Sequence, residues 1–438
     1  RNKAVADLYY PGSVFKVITA SAALDSGAAN LNTSYTCKGS ITVAGRTMRC
    51  AHTNHGTLDF FGGLDGSCNP YYVTLGQMMG AETFCNYMQA FGFYEKTGVD
   101  MDDEGTTQYV PLEKMGPVEL ASSAFGQTTS TTPIQMITAA CAVINGGYLV
   151  QPHVVKQVLD ADGNIVENVE PEVKRQVLSA ETSATMRELL TRSVNMTAAD
   201  GKTLTGGNKT GYVAGYKAGG KSGTSQRKQA LSDEEQTYYS SYWGFAPGDD
   251  PQIAVLVAIN DLPESATHTG GTIAAPVVGR IMEDVLPYIG ITPVYDDSES
   301  DRRELTVPSV SGKTRDDAIS TLSDAGFDCI IKGDGDTVTD QVPNAGMRIA
   351  ASGKVIVYMG EEKPTEAVEV PDLSGMSPDE CRDTLEEYGL YLKQKGVSSA
   401  QITGDTTATK QSPEAGTKVS LGAVVTVEFS DTTTVNDR

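Results

Sequence analysis

An α+β fold, with a large mixed domain ahead of two small αβ repeats, is predicted for this chain on three observations. Helix-like and strand-like segments alternate over about the first 290 residues without an internal repeat. Within that stretch "YYSSYWGFA" and "QIAVLVAIN" are joined by the turn residues "PGDD", with Pro251 behind them, which reads as an antiparallel hairpin. From Val307 a different pattern begins, and it recurs without a gap from Val370. The expected organisation is a domain over residues 1–290, a linker at 291–303, repeats at 304–361 and 366–430, and a tail at 431–438.

The elements follow in order. In "YYPGSVFKVITASAALDSG", Pro11 and Gly12 signal a turn and Ser13 suits a helix start. Val14, Phe15, Val17, Ile18, Ala22, Ala23 and Leu24 supply an apolar face before the stop at Gly27. "CKGSITVAGRTMRCAHTNHG" reads strand–turn–strand, and "GSCNPYYVTLG" reads as a turn or strand-like stretch. Thr132–Gly147 is an apolar helix with a glycine stop, and Ser179–Asn195 is an amphipathic one. A strand through "YVAGYKAGG" leads to Lys221, the hairpin follows, and Thr272–Gly290 closes the unit as a long helix packed on the sheet. "ITPVYDDSESDRRE" is polar and acidic without a helical period, which marks the linker. Each repeat reads as a short strand, one helix, then strands split by a glycine-containing turn; the second is longer around "SSAQITGDTTATK".

The 438 residues allow two or three domains, and the formal charge of −22 with a pI near 4.6 argues against a nucleic-acid partner. No run of about eighteen apolar residues occurs to span a membrane. The chain opens on "RNKAVADLYYPG" without an initiator Met, and it reads as a fragment of something longer. Seven cysteines without a C-x-x-C pair describe neither a disulfide scaffold nor a zinc ribbon.

Ser13 and Lys16 stand one helical turn apart, so the amine can reach back toward the hydroxyl. Burial among apolar side chains disfavours an ammonium and would make Lys16 a general base, which a serine hydroxyl needs before it attacks a carbonyl. S-x-x-K alone is weak: Ser225 and Lys228 repeat it in "SQRKQALSDEEQ", where no apolar face buries the lysine. Acyl chemistry also needs a proton relay, oxyanion donors and a counter-charge. Ser67 and Asn69 could face a cleft together, and Lys221, Ser222, Gly223 and Thr224 could bring a charge, hydroxyls and backbone amides to a substrate. Ser193–Asn195 repeats the S-x-N spacing, and Lys96–Gly98 and Lys209–Gly211 repeat K-T-G, so context chooses among them.

The ordered set "SVFK", "SCN" and "KSGT", with "FGQTTSTTPIQMITAACAVINGGYLVQPH" and "WGFAPGDDPQIAVLVAIND" around it, resembles the class B, monofunctional penicillin-binding protein transpeptidases and their serine β-lactamase relatives. The two repeats are similar to PASTA domains, which fits that class in Gram-positive bacteria. The resemblance implies that Ser13 attacks a stem-peptide D-Ala-D-Ala carbonyl, Lys16 is the base, Ser67 relays the proton and Asn69 holds the substrate amide and orients Lys16. Lys221 would supply positive potential, Ser222 and Thr224 hydroxyl partners, and the amides of Ser13 and Thr224 the oxyanion hole. It implies no cofactor; its partners would be peptidoglycan stem peptides, β-lactams and other wall-synthesis or division proteins, at the extracytoplasmic face of the membrane. In the family a helix and the first strands of a five-stranded sheet precede the nucleophile, with an anchor and pedestal before them; a fragment without them is expected to be poorly active or marginally stable. A β-lactamase or D,D-carboxypeptidase, and a non-catalytic muropeptide or β-lactam sensor, stay open as alternatives.

Cys37 and Cys50 carry three readings. A four-residue loop from Thr42 to Gly45 sets them across a ladder within reach of a disulfide, whereas a two-residue loop at Ala44 and Gly45 leaves them diagonal. Zinc held with His52 and His55 is weighed below the disulfide, and mere proximity stands beside both, so no metal is assigned.

Overall fold

Glycine and proline punctuation sets the boundaries of the elements that carry the site. The computed structural model describes residues 1–51, 54–199, 204–226, 236–295, 304–350, 353–363, 367–395 and 406–431. They form two compact units. The first comprises residues 1–196, 205–212 and 217–291, and the second residues 292–438 with the short pieces 197–204 and 213–216.

In the first unit, Pro11 leads into a single tight turn, Gly12–Phe15, before the α-helix Lys16–Asp25 begins. The expected helix start is thereby refined: Ser13 sits on a 3-10 turn and Lys16 opens the helix proper. The helix is buried almost throughout, and its apolar residues join a core that includes Phe15, Tyr72, Met136, Leu190, Trp243 and Phe245. At its end Gly27 takes φ +71°, the left-handed backbone that glycine adopts without strain.

The stretch "GSCNPYYVTLG" is neither turn nor strand beyond Ser67. Asn69–Ala90 is helical, with Pro70 in its first turn and an interruption at Gly80, whose φ is +74°. The apolar run reads as strand locally because tyrosine and valine favour strands, yet it packs as a helix. Pro133–Ile144 and Ala180–Asn195 are helices where expected, capped by the side chains of Thr132 and Ser179.

Three antiparallel strands form the sheet beside the site, in the order Ile253–Pro263, Thr237–Ala246, Gly219–Gln226. The hairpin predicted from "PGDD" is there, with Ala246 opposite Ile253. Lys221 lies opposite Trp243 and Thr224 opposite Ser240. The closing helix runs Ala275–Tyr288, behind a short turn at Gly270–Ile273.

In the second unit each repeat carries one helix, Arg315–Asp324 and Pro378–Glu387, each opened by a hydroxyl cap from Thr314 or Ser377. Each has a parallel strand pair and an antiparallel neighbour: Asp328–Lys332, Lys354–Tyr358 and Asp340–Val342 in the first, Tyr391–Lys395, Val424–Asp431 and Thr406–Ser412 in the second. The internal repeat extends to polar detail. Gln341 accepts from the Val310 amide and donates to the Pro308 and Pro343 carbonyls; Gln411 does the same with Leu373, Pro371 and Pro413. Among the described residues no helix is long and apolar enough to cross a membrane.

Candidate active site

The turn that carries Ser13 is held by backbone approaches only glycine permits. Gly12 takes φ +53°, and a Cβ there would lie 2.7 Å from the Thr224 carbonyl oxygen; a Cβ on Gly223 would lie 2.7 Å from that of Pro11. Gly126, at φ +83°, would bring a Cβ within 2.0 Å of the Gly12 oxygen. Three chain segments therefore meet in backbone contact at the Ser13 turn, which places the Lys221–Thr224 strand against it.

Lys16 is wholly buried, and its Nζ donates to the Ser67 carbonyl at 2.6 Å, the Ser67 hydroxyl at 3.0 Å and the Asn69 Oδ1 at 2.7 Å. Burial holds its pKa well below that of an ordinary lysine, and the charge of Lys221 adds to the effect. The neutral amine, the form able to take a proton, is favoured accordingly. Asn69 in turn donates from Nδ2 to the Arg49 carbonyl at 2.9 Å, so the hairpin Ser40–Val43/Arg46–Arg49 fixes which amide atom faces Lys16. Ser67 itself takes φ +50°, a left-handed conformation that costs a non-glycine residue roughly 1–2 kcal/mol.

On the strand, Lys221 is also wholly buried and Nζ donates to the Ser222 carbonyl at 3.1 Å. Burial lowers its pKa to about 8, with Asp65 acting in the opposite sense. Thr224 accepts the Gly270 amide on its hydroxyl at 3.1 Å. Ser13, Lys16, Ser67, Asn69, Lys221, Ser222, Gly223 and Thr224 thus converge on one region of the first unit. Among the described residues the look-alike motifs take other parts. Thr97 caps Glu104 in a loop, Lys209–Gly211 is a short turn beneath Tyr242, and Ser225 donates to the Tyr10 carbonyl; Lys228 lies outside the described residues.

The disulfide expected between Cys37 and Cys50 is not formed, and both residues remain thiols. The hairpin uses the two-residue loop, Val43 facing Arg46, while Cys37 belongs to a separate pair and lies opposite Gly56. The same folding gathers Cys37, Cys50, His55 and Cys68, whose ligand atoms all lie within 4.8 Å of one another. Cys50 Sγ is 3.3 Å from His55 Nδ1 and 3.9 Å from Cys68 Sγ. A tetrahedral zinc shell with bonds of about 2.3 Å sets ligand atoms about 3.8 Å apart, so three thiols and an imidazole at these spacings fit zinc, whose structural sites include the Cys3His type. His52, weighed as a ligand from the sequence, lies outside the described residues. Sequence reasoning misses Cys68 because it stands between two residues assigned to catalysis, and its spacing from Cys50 matches no metal pattern.

A serine one turn ahead of a desolvated lysine, with a second serine and an asparagine on that amine and a lysine-bearing strand alongside, defines the class of proteins built on a serine–lysine pair. Within that class, the chain belongs to the penicillin-binding protein transpeptidase family, whose domain model matches residues 1–283, and PASTA domains match residues 305–361 and 368–431. It is 39% identical over 377 residues to stage V sporulation protein D of Bacillus subtilis, covering 84% of this chain and 56% of that protein. Penicillin-binding protein 3 of Mycobacterium tuberculosis, solved with aztreonam, is 28% identical with a TM-score of 0.58 over 67% of this chain and 66% of that one. Penicillin-binding protein 2X of Streptococcus thermophilus shares the fold over 98% of this chain and 62% of its own, at 23% identity and a TM-score of 0.55. The chain spans about half the length of the curated relatives it matches.

Proposed function

We propose that this chain carries the acyl-transfer site of a D-Ala-D-Ala transpeptidase that cross-links peptidoglycan stem peptides and is acylated by β-lactams. The observation that carries the reading is Lys16, buried and bonded through Nζ to both Ser67 and Asn69. The neutral amine takes the Ser13 proton as Oγ attacks the penultimate D-Ala carbonyl, and amides of Ser13 and Thr224 receive the developing oxyanion. Ser67 passes the proton to the departing nitrogen as the C–N bond breaks and D-Ala leaves. An amine from a neighbouring strand then attacks the ester, and Ser13 recovers its proton. Lys221 supplies positive potential for the substrate carboxylate, with Ser222 and Thr224 as hydroxyl partners. The substrate lies outside the cytoplasmic membrane, and the site works there with it. The Cys37, Cys50, His55 and Cys68 cluster holds zinc as a brace for the turn that presents Ser67 and Asn69.

Intact mass after incubation with a penicillin, followed by peptide mapping, tests the assignment: one adduct on Ser13, persisting for many minutes. Rapid turnover of the drug would indicate a β-lactamase instead, and an adduct on another serine would overturn the roles of Ser13 and Lys16.

A further inference from the structure

The S-x-N look-alike at Ser193–Asn195 and the residue before the K-T-G look-alike, Asn208, are built into the same region by another route. Asn208 is 1% exposed and Ser193 is fully buried. The Asn208 Oδ1 accepts the Ser222 amide at 2.8 Å, and its Nδ2 donates to the Ser193 hydroxyl at 2.8 Å. That hydroxyl donates to Asp65 Oδ1 at 2.7 Å, which also accepts the Gly207 amide at 2.7 Å. The direction of this chain is fixed at its start, because a backbone N–H can only donate; every later donor then points toward the carboxylate. The Asn208 carbonyl accepts the Tyr242 hydroxyl at 3.1 Å, and Tyr242 lies opposite Ser222 in the sheet. Asn195 completes the clasp by donating to the Ala218 carbonyl at 2.7 Å, one residue before the strand starts.

The Ser222 amide therefore points off the free edge of the strand, and the alternation of a β-strand turns the Thr224 amide to that same edge. Asp65 lies two residues before Ser67, at the end of the short helix Phe60–Asp65. One hydrogen-bonded line thus joins the two halves of the candidate site, neither end of it being a group that does chemistry. We propose that Asn208, anchored through Ser193 to Asp65, is a positioning residue for acyl transfer, setting where the Lys221–Thr224 edge lies relative to the Ser67 turn. The proposal rests on the acyl-transfer reading above.

Time-resolved acylation by a fluorescent penicillin over a concentration series separates the pre-covalent Kd from the acylation rate constant. Asn208→Ala is expected to lower the rate constant about tenfold or more, with Kd changed less than about threefold, since misplaced reacting groups cost rate rather than affinity. Asn208→Asp, which keeps an acceptor for the Ser222 amide but loses the donor to Ser193, leaves most of that loss in place. Ser193→Ala lowers the rate constant about threefold and decides the matter if Asn208→Ala does not fold. Tyr87→Phe, which deletes a 2.7 Å bond to Asp25 at the far end of the Lys16 helix, controls for lost stability and leaves the rate constant unchanged. If the unsubstituted protein is not acylated on Ser13, the acyl-transfer reading falls. If it is, and both Asn208→Ala and Ser193→Ala acylate within about twofold of it, or slow no more than Tyr87→Phe, the positioning role alone is overturned.

Discussion

Lys221→Met replaces a buried ammonium by an apolar side chain of similar length, and the structure fixes both the sign and the size of its effect. Burial lowers the Lys221 pKa from 10.5 to about 8, with Asp65 raising it in part. At 1.36 kcal/mol per pKa unit, holding the charged form in the folded protein costs about 3 kcal/mol. The unfolded chain binds this proton more tightly, so stability rises with pH between about 8 and 10.5; the full cost is present below about 8 and vanishes above 10.5. Methionine removes that cost, while the Ser222 carbonyl loses its donor, which returns about 1 kcal/mol. The net expectation at pH 7 is about 2 kcal/mol of added stability, or a Tm higher by about 5 °C. Acylation should fall at pH 7 in the variant, and in the unsubstituted protein it should decline as pH rises through about 8, where Lys221 loses its charge. Calorimetry from pH 7 to 10 alongside penicillin acylation checks both. A variant less stable at pH 7, or a stability difference that does not shrink between pH 8 and 10, would refute the reasoning.

Ser13→Ala should abolish the penicillin adduct in mass spectrometry without moving Tm by more than about 2 °C, because the side chain is only half-buried on its turn. Elemental analysis of native protein should find one zinc per chain, and Cys68→Ser should reduce the metal content and lower Tm by several degrees; metal-free protein whose four donors all react or titrate freely counts against the zinc site. Gly126→Ala should destabilise by more than about 2 kcal/mol in denaturant titration, because its φ of +83° and the Gly12 oxygen 2.0 Å from the added Cβ leave no accommodating shift; wild-type stability and acylation together would disprove that packing.

Apolar periodicity and turn residues exposed the Lys16 helix, the hairpin from Tyr238 to Asn260, the closing helix and both repeats, because each buries its face within a short span of sequence. What stayed hidden depends on long-range contact. The Asn69–Ala90 helix reads as strand at its tyrosine-rich start, and packing against the Pro117–Ala124 helix and the Lys16 helix resolves it. Ser13 with Lys16, and Lys221 with Thr224, were legible because each spacing falls within one turn or one strand, whereas Ser67 and Asn69 straddle the start of a helix. Asp65, Ser193 and Asn208 have no common spacing and share a line of hydrogen bonds only after folding. Cys37 and Cys50 read as a pair because both border one hairpin, whereas the loop length sends Cys37 to a different partner strand.

The turn from Asp65 to Asn69 shows why these hidden contacts belong to function. A serine at φ +50° does not hold that conformation unaided; its surroundings must over-determine it. Three constraints act from different sides. Asp65 is gripped by Ser193 and the Gly207 amide before the turn. Asn69 is tied to the Arg49 carbonyl after it. Cys68, between the two residues that meet Lys16, is fully buried and directs its sulfur to Cys50, the neighbour of Arg49. One short turn therefore carries both the amine's partners and a member of the thiol cluster. Zinc at the proposed centre would therefore brace Ser67 and Asn69 through the peptide units on either side of Cys68, and the charges of Cys50 and Cys68 act on Lys16 as well.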